Sequence, residues 1–166
     1  MGLKRTGLAL AAVLALGACQ NGGIFGGGRG GTDQTPSGGA IEESSLAYFN
    51  TTIGDTVLFA VNQATLGPAA KAILDAQVAW LNQYPDRTIT IEGHADEQGT
   101  REYNLALGAR RAAAVQNYMA SAGLLASRLS IISYGKERPL AVCSTEACWS
   151  KNRRSVTVVA GGMGSV

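Results

Sequence analysis

Residues 88–115 read TITIEGHADEQGTREYNLALGARRAAAV, and this stretch decides the fold. Its first five residues alternate polar and β-branched types, which predicts a strand over 88–92. A polar loop follows, and then the longest helix of the chain, predicted over about 101–122 and ended by Gly123. A stripe at helical spacing marks the predicted buried face of this helix: Gly108, Ala112, Val115, Met119 and Ala122.

The segment before this stretch predicts a short helix, a strand and a second long helix. The short helix covers about 44–52, and its inward residues are Leu46, Phe49 and Ile53. A strand is predicted over 56–60. The second long helix begins at Pro68, because proline is favoured at the first helical position, and it ends before Pro85. Its inward stripe comprises Ala70, Ile73, Leu74, Gln77, Leu81 and Tyr84.

Two further strands are predicted in the C-terminal part, over 129–134 and 155–160. Strands and helices thus alternate along the chain. We expect a two-layer α/β sandwich, with a sheet of about four strands and the helices packed on one of its faces. Residues 42–166 are long enough to bury a core of their own, so we expect them to form one domain.

The first 18 residues have the organisation of an export signal. A basic start precedes an apolar run over 8–16, which as a helix spans about 14 Å, less than half of a bilayer core. The run leads into LGAC at 16–19, which resembles the bacterial lipobox and implies acylation of Cys19 after cleavage before it. Gln20 favours the outer membrane, since aspartate there would imply retention in the inner membrane. An ordinary secretory signal is the alternative.

Residues 19–41 combine the lipidated cysteine with a glycine-rich tract. Such a composition buries too little apolar surface to offset the entropy of ordering, so we expect a flexible linker with a root-mean-square span of about 25 Å. A G-x-G-x-x-G pattern at Gly26, Gly28 and Gly31 lacks the flanking strand and helix of a nucleotide-binding loop. We therefore expect no cofactor.

The charge of the chain excludes one class of partner. The 166 residues include 14 basic and 12 acidic side chains, a formal charge of +2. Removal of the signal would take away Lys4 and Arg5, and the mature chain would then be neutral. A neutral chain has no electrostatic attraction to a bulk polyanion, so we expect no nucleic-acid partner.

The candidate site combines a carboxylate and a guanidinium. Asp96 lies in the loop after the predicted strand, and Arg111 lies on one stripe of the following helix with Asn104 and Leu107. Since the chain reverses at the loop, we expect Asp96 and Arg111 to face each other across a gap that suits a zwitterion. The alternative is that Asp96 satisfies backbone amides and Arg111 lies solvated on the helix surface.

The blocks GHADEQGT, YN, LG, RRA, SYGKERP and SKNRRSV, in this order, resemble the OmpA-like peptidoglycan-binding domain family over residues 54–160. This resemblance implies a peptidoglycan ligand, the free amino-acid end of meso-diaminopimelate in uncrosslinked stem peptides. It places the family's aspartate on Asp96 and its arginine on Arg111, with Arg110 as a solvated neighbour. The rest of the implied pocket comprises Asn104, Leu107, Phe59, Val61 and Asn62.

The chain departs from the family pattern at two neighbouring positions, and the resemblance implies one further partner. The family usually has an aromatic and an acidic residue at the end of the first strand, where this chain has Val61 and Asn62. Among the family's lipoproteins, the resemblance also implies exchange between peptidoglycan and the periplasmic propeller protein TolB during constriction of the outer membrane. Composition and spacing do not indicate that partner.

Three alternatives remain open: a zinc site, a wall-cleaving enzyme and a structural scaffold. Cys143 and Cys148 predict a disulfide in an oxidising periplasm, although a zinc site using both thiols and His94 is conceivable. Glu92 and His94 lie close in sequence to Asp96 and Glu97, which could indicate a wall-cleaving enzyme. No nucleophile accompanies them, so we expect no enzyme activity. A purely structural envelope scaffold is the third alternative.

Overall fold

The structure is a computed structural model that describes residues 41–161. The signal segment, Cys19 and the linker up to residue 40 lie outside the described residues. The strands are β1 (Thr56–Leu58), β2 (Thr88–His94), β3 (Leu129–Gly135) and β4 (Arg154–Ala160). The helices are α1 (Leu46–Tyr48), which continues as a π-helical turn over Phe49–Gly54, α2 (Pro68–Gln83), α3 (Arg101–Ser121), a 3₁₀ turn (Ala126–Arg128) and α4 (Glu146–Asn152).

The four strands form one mixed sheet in the order β1-β4-β2-β3. β4 runs antiparallel to both of its neighbours, β1 and β2, whereas β2 and β3 are parallel. Parallel neighbours need a long crossover connection, and α3 supplies it. The α/β sandwich predicted from the sequence is confirmed.

A close contact between two glycines sets the distance of α3 from the sheet. A Cβ atom added at Gly108 would come within 2.8 Å of the backbone oxygen of Gly93. Only glycine allows the two backbones to approach this closely. Gly93 precedes Asp96 by three residues and Gly108 precedes Arg111 by three, so this contact also brings the two candidate site residues together.

The core lies between the sheet and the two long helices. Ile89 and Ile91 of β2 face it, and Leu74, Leu81, Val115 and Met119 of the helices are at most 1% exposed. The opposite face of the sheet carries partly exposed Leu58, Ile132 and Val158. In residues 41–161, none of the helices is both long and apolar enough to cross a membrane.

The predicted elements differ from the observed ones in four places. Leu46 is 41% exposed, because the π-helical turn that follows α1 supplies the buried side chain, Phe49, and Ala122 is exposed because α3 ends at Ser121. β1 ends at Leu58, because the chain turns over Ala60–Gln63, where Gln63 N–H bonds to Ala60 O. α4 lies where a loop was expected.

Candidate functional site

Asp96 lies in the loop that follows β2 and is only 6% exposed. One carboxylate oxygen accepts a hydrogen bond from the backbone N–H of Gln98 at 3.2 Å. The other accepts from Nη1 of Arg153 at 3.3 Å. The charge of Asp96 is thus partly balanced inside the protein, and the remaining lone pairs of its two oxygens are available for a further donor.

Arg111 is fully buried, so the alternative of a solvated helix arginine is wrong. Its Nε donates to Gln63 O at 2.8 Å, its Nη1 to His94 O at 2.8 Å and its Nη2 to Ala60 O at 3.2 Å. Burial lowers the pKa of Arg111 to about 10, and the nearby carboxylate of Asp96 opposes that shift. The guanidinium therefore stays charged near neutral pH, and two of its five N–H donors remain unused.

Asn104 and Leu107 lie one helical turn apart on α3, and both are buried. Asn104 is fully buried, and its Nδ2 donates to Gln98 O at 2.9 Å. Its Oδ1 atom is buried without a hydrogen-bond partner. Leu107 is 3% exposed, so its side chain is buried. An orphaned buried acceptor is costly unless a donor reaches it, which makes Asn104 Oδ1 a candidate ligand contact.

The turn after β1 contributes mainly its backbone. Phe59 is 5% exposed, and its ring lies 5.2 Å from the guanidinium of Arg111. Val61 is 48% exposed, and Asn62 has a φ of 57°, a conformation that asparagine tolerates better than most residues. The atoms of this turn that contact Arg111 are carbonyl oxygens, so the side chains of Val61 and Asn62 are not part of that contact.

Two residues of the site were missed in the sequence. Arg153 is 5% exposed and bonds through Nε to Phe59 O at 3.3 Å and through Nη1 to Asp96. Its Nη2 also pairs with Glu146, the first residue of α4. The hydrogen bond from Arg153 lowers the pKa of Glu146, and the same pair raises the pKa of Arg153. The site thus contains two cations and two carboxylates.

The disulfide predicted between Cys143 and Cys148 is present, with a Cα–Cα distance of 5.6 Å. It encloses Glu146, and the adjacent Trp149 donates from Nε1 to Glu97 at 3.1 Å. Among residues 41–161, no group of three or more histidine, cysteine or acidic side chains is arranged to hold a metal ion. Both cysteines form the disulfide, so their thiols are not available as zinc ligands.

His94 enters the site through its backbone oxygen, not through its ring. The ring is 1% exposed, and its centroid lies 5.6 Å from that of Tyr134. Burial, followed by the charges of Arg154 and Arg138, lowers the pKa of His94 to about 4. Nε2 lies 3.5 Å from Glu92, too far for a strong hydrogen bond. A buried, neutral imidazole is poorly placed for acid–base chemistry at neutral pH.

Comparison with known proteins identifies relatives of the whole domain. The model of the OmpA family matches residues 58–153. The peptidoglycan-associated lipoprotein of Rhizobium meliloti is 54% identical over 127 residues, which cover 76% of this chain and 72% of that protein. Its counterpart from Haemophilus influenzae is 39% identical and covers 90% of this chain and 93% of the relative.

Solved structures are also similar to this chain. The crystal structure of the peptidoglycan-associated lipoprotein from Burkholderia pseudomallei has a TM-score of 0.64 at 34% identity, covering 67% of this chain and 96% of that one. The C-terminal domain of Helicobacter pylori MotB has a TM-score of 0.61 at 20% identity, covering 66% of this chain and 86% of that one, and it shares the fold alone. The chain therefore belongs to the OmpA family and, within it, to the peptidoglycan-associated lipoproteins.

Proposed function

We propose that this chain binds peptidoglycan non-covalently, and that its ligand is the free amino-acid end of meso-diaminopimelate in stem peptides. The names of its relatives support peptidoglycan as the polymer that is bound. The charges of the site support the amino-acid end of diaminopimelate as the part that is recognised. One observation carries the proposal. The buried guanidinium of Arg111 on α3 lies at the end of β2, close to the carboxylate of Asp96. A zwitterion offers one complementary charge to each of them.

The contacts available in the site define how the end group binds. Its ammonium would donate to Asp96 and to the orphaned Oδ1 of Asn104. Its carboxylate would accept from the two unused N–H groups of Arg111. Since Arg111 is anchored by three carbonyl oxygens, its guanidinium is held in place before the ligand arrives, which lowers the entropic cost of binding.

The departure at Val61 and Asn62 does not remove this geometry. The turn holds Arg111 through the backbone oxygens of Ala60 and Gln63, which any residue supplies. Phe59 remains beside the guanidinium. We infer that the exposed side chains of Val61 and Asn62 contact the outer part of the stem peptide.

We further propose that Cys19 carries lipid that anchors the chain in the outer membrane. A lipobox cysteine carries more acyl chains than the two hydrophobic signals that stable anchoring requires. The linker over 19–41 would let the binding domain, residues 42–166, reach the wall. The family resemblance supports a second partner, TolB, and a role in maintaining the outer membrane and in its constriction during cell division.

Replacing Cys19 with serine is expected to separate anchoring from wall binding. The variant should leave the outer-membrane fraction, because it has no acyl chain, and it should still sediment with purified peptidoglycan. Envelope fractionation and a sacculus pulldown measure the two properties, with Glu137→Gln as the control that keeps the lipidation site. An acylated variant in the outer membrane would contradict the anchor.

The same pulldown distinguishes the alternative functions. A wall-cleaving enzyme would release soluble muropeptides from the sacculi during incubation, and a pure scaffold would stay in the supernatant. The proposed binding protein should sediment and release none. Muropeptide release by the purified chain would contradict the proposal.

A further inference from the structure

Glu146 is not expected to contact the ligand itself. It is linked to the site through one side chain, that of Arg153. Its carboxylate accepts hydrogen bonds from both Nη1 and Nη2 of Arg153, the former at 3.2 Å. Arg153 reaches Asp96 with Nη1 alone, at 3.3 Å. A guanidinium can bind one carboxylate with two parallel hydrogen bonds, and here that bidentate pair goes to Glu146 rather than to Asp96.

The position of Glu146 depends on the segment that carries it. α4 has seven residues and no side-chain cap at Thr145, and a helix this short is unstable by itself. The bond between Cys143 and Cys148 closes a ring around its first turn. At the other end, Asn152 accepts from the backbone N–H groups of Leu140 and Ala141 at 2.8 and 3.0 Å.

We propose that the Cys143–Cys148 ring positions Glu146 to limit Arg153 to a single hydrogen bond with Asp96, so that the rest of the Asp96 carboxylate stays available for the ligand's ammonium. Glu146 is then a positioning residue for recognition of the amine. This inference rests on the proposed function, since it assigns the amine of the ligand to Asp96.

Charge balance gives the direction of the effect. With Glu146 in place, Asp96 and Glu146 offset Arg111 and Arg153. Without its carboxylate the site carries an excess positive charge, and Arg153 is free to turn its second nitrogen to Asp96. Both changes disfavour an incoming ammonium, and neither disfavours an incoming carboxylate.

Two stem tripeptides test this assignment in Glu146→Gln. One ends in meso-diaminopimelate, and the other ends in 2-aminopimelate, which keeps the distal carboxylate and lacks the distal amine. The affinity for the first ligand should fall about three- to tenfold, a modest loss because Glu146 is exposed, whereas the affinity for the second should stay level or rise. Glu137→Gln, which removes an exposed carboxylate paired with Arg101, is the matched control.

The double variant Cys143→Ser/Cys148→Ser should show the same split between the two ligands, because it releases the segment that holds Glu146. Unchanged affinity for the diaminopimelate ligand in Glu146→Gln would overturn the inference. Equal losses for both ligands in a folded variant would also overturn it, because they would indicate a general role in the structure of the site.

A measurement without ligand separates this inference from the proposed function. The side-chain carboxyl carbon of Asp96 should shift in the ¹³C NMR spectrum of free Glu146→Gln, since Arg153 moves towards it, and should stay in place in Glu137→Gln. If the parent protein binds both ligands equally, the proposed ammonium site is wrong, whatever Glu146 does. If the Asp96 signal does not move, the positioning role of Glu146 is wrong, whatever the ligand is.

Discussion

Asp96→Asn is expected to weaken binding of the diaminopimelate stem peptide by about 30- to 1,000-fold. Asparagine keeps the shape of the side chain and its hydrogen bond from Gln98, but it removes the charge that the ammonium requires. Because Asp96 is only 6% exposed, solvent does not replace the lost interaction. Titration calorimetry on the purified protein measures the change.

Glu97→Gln is the matched control for Asp96→Asn. Glu97 is the next residue of the same loop, but it is exposed, and its carboxylate accepts a hydrogen bond from Trp149 and none from Arg153 or Arg111. Its removal is expected to change the affinity by less than about threefold. If Asp96→Asn folds and binds as tightly as the parent, the ammonium of the ligand lies elsewhere.

Arg111→Ala is expected to lower the free energy of unfolding by about 3–5 kcal/mol and to abolish measurable binding. The substitution removes the side-chain donor to the carbonyl oxygens of Gln63 and His94, and it leaves Ala60 O with the backbone N–H of Gln63 alone. It also opens a cavity in the place of a fully buried side chain. Chemical denaturation measures the stability, and Arg110→Ala, at an exposed position, should stay within about 0.5 kcal/mol of the parent.

A conservative variant keeps the binding test informative if Arg111→Ala does not fold. Arg111→Lys retains a cation but cannot reach three carbonyls and a ligand carboxylate at once. It should bind the stem peptide roughly 10- to 100-fold more weakly than the parent. If Arg111→Lys binds normally while Arg110→Ala does not, the assignment of the helix face is wrong.

The order of elements was predictable because local patterns determine it. The stripe over Leu74 and Leu81 and the stripe over Val115 and Met119 were both confirmed as buried. The seven-residue α4 was missed, since its sequence spans barely two turns and shows no apolar periodicity. Leu46 was placed inward wrongly, because one turn of helix leaves its orientation to the tertiary packing.

The sequence predicted that Asp96 and Arg111 lie near each other, but it did not predict the presence of Arg153 and Glu146 beside them. The spacing predicted this proximity of Asp96 and Arg111, because a single loop joins the strand before Asp96 to the helix that carries Arg111. It could not show that Arg111 is buried, because the oxygens of Gln63 and Ala60 that hold it lie 48 and 51 residues away in sequence. Arg153 lies 57 residues from Asp96, and the antiparallel pairing of β4 with β2, in which Ser155 lies opposite Gly93, brings it to the site.

The most direct test of the central claim is a calorimetric comparison of two stem peptides on the parent protein. One has meso-diaminopimelate at the third position and the other has lysine, which offers an amine without the adjacent carboxylate. The first should bind roughly 10- to 100-fold more tightly, because only it engages Asp96 and Arg111 together. Equal affinities for the two peptides would contradict the account.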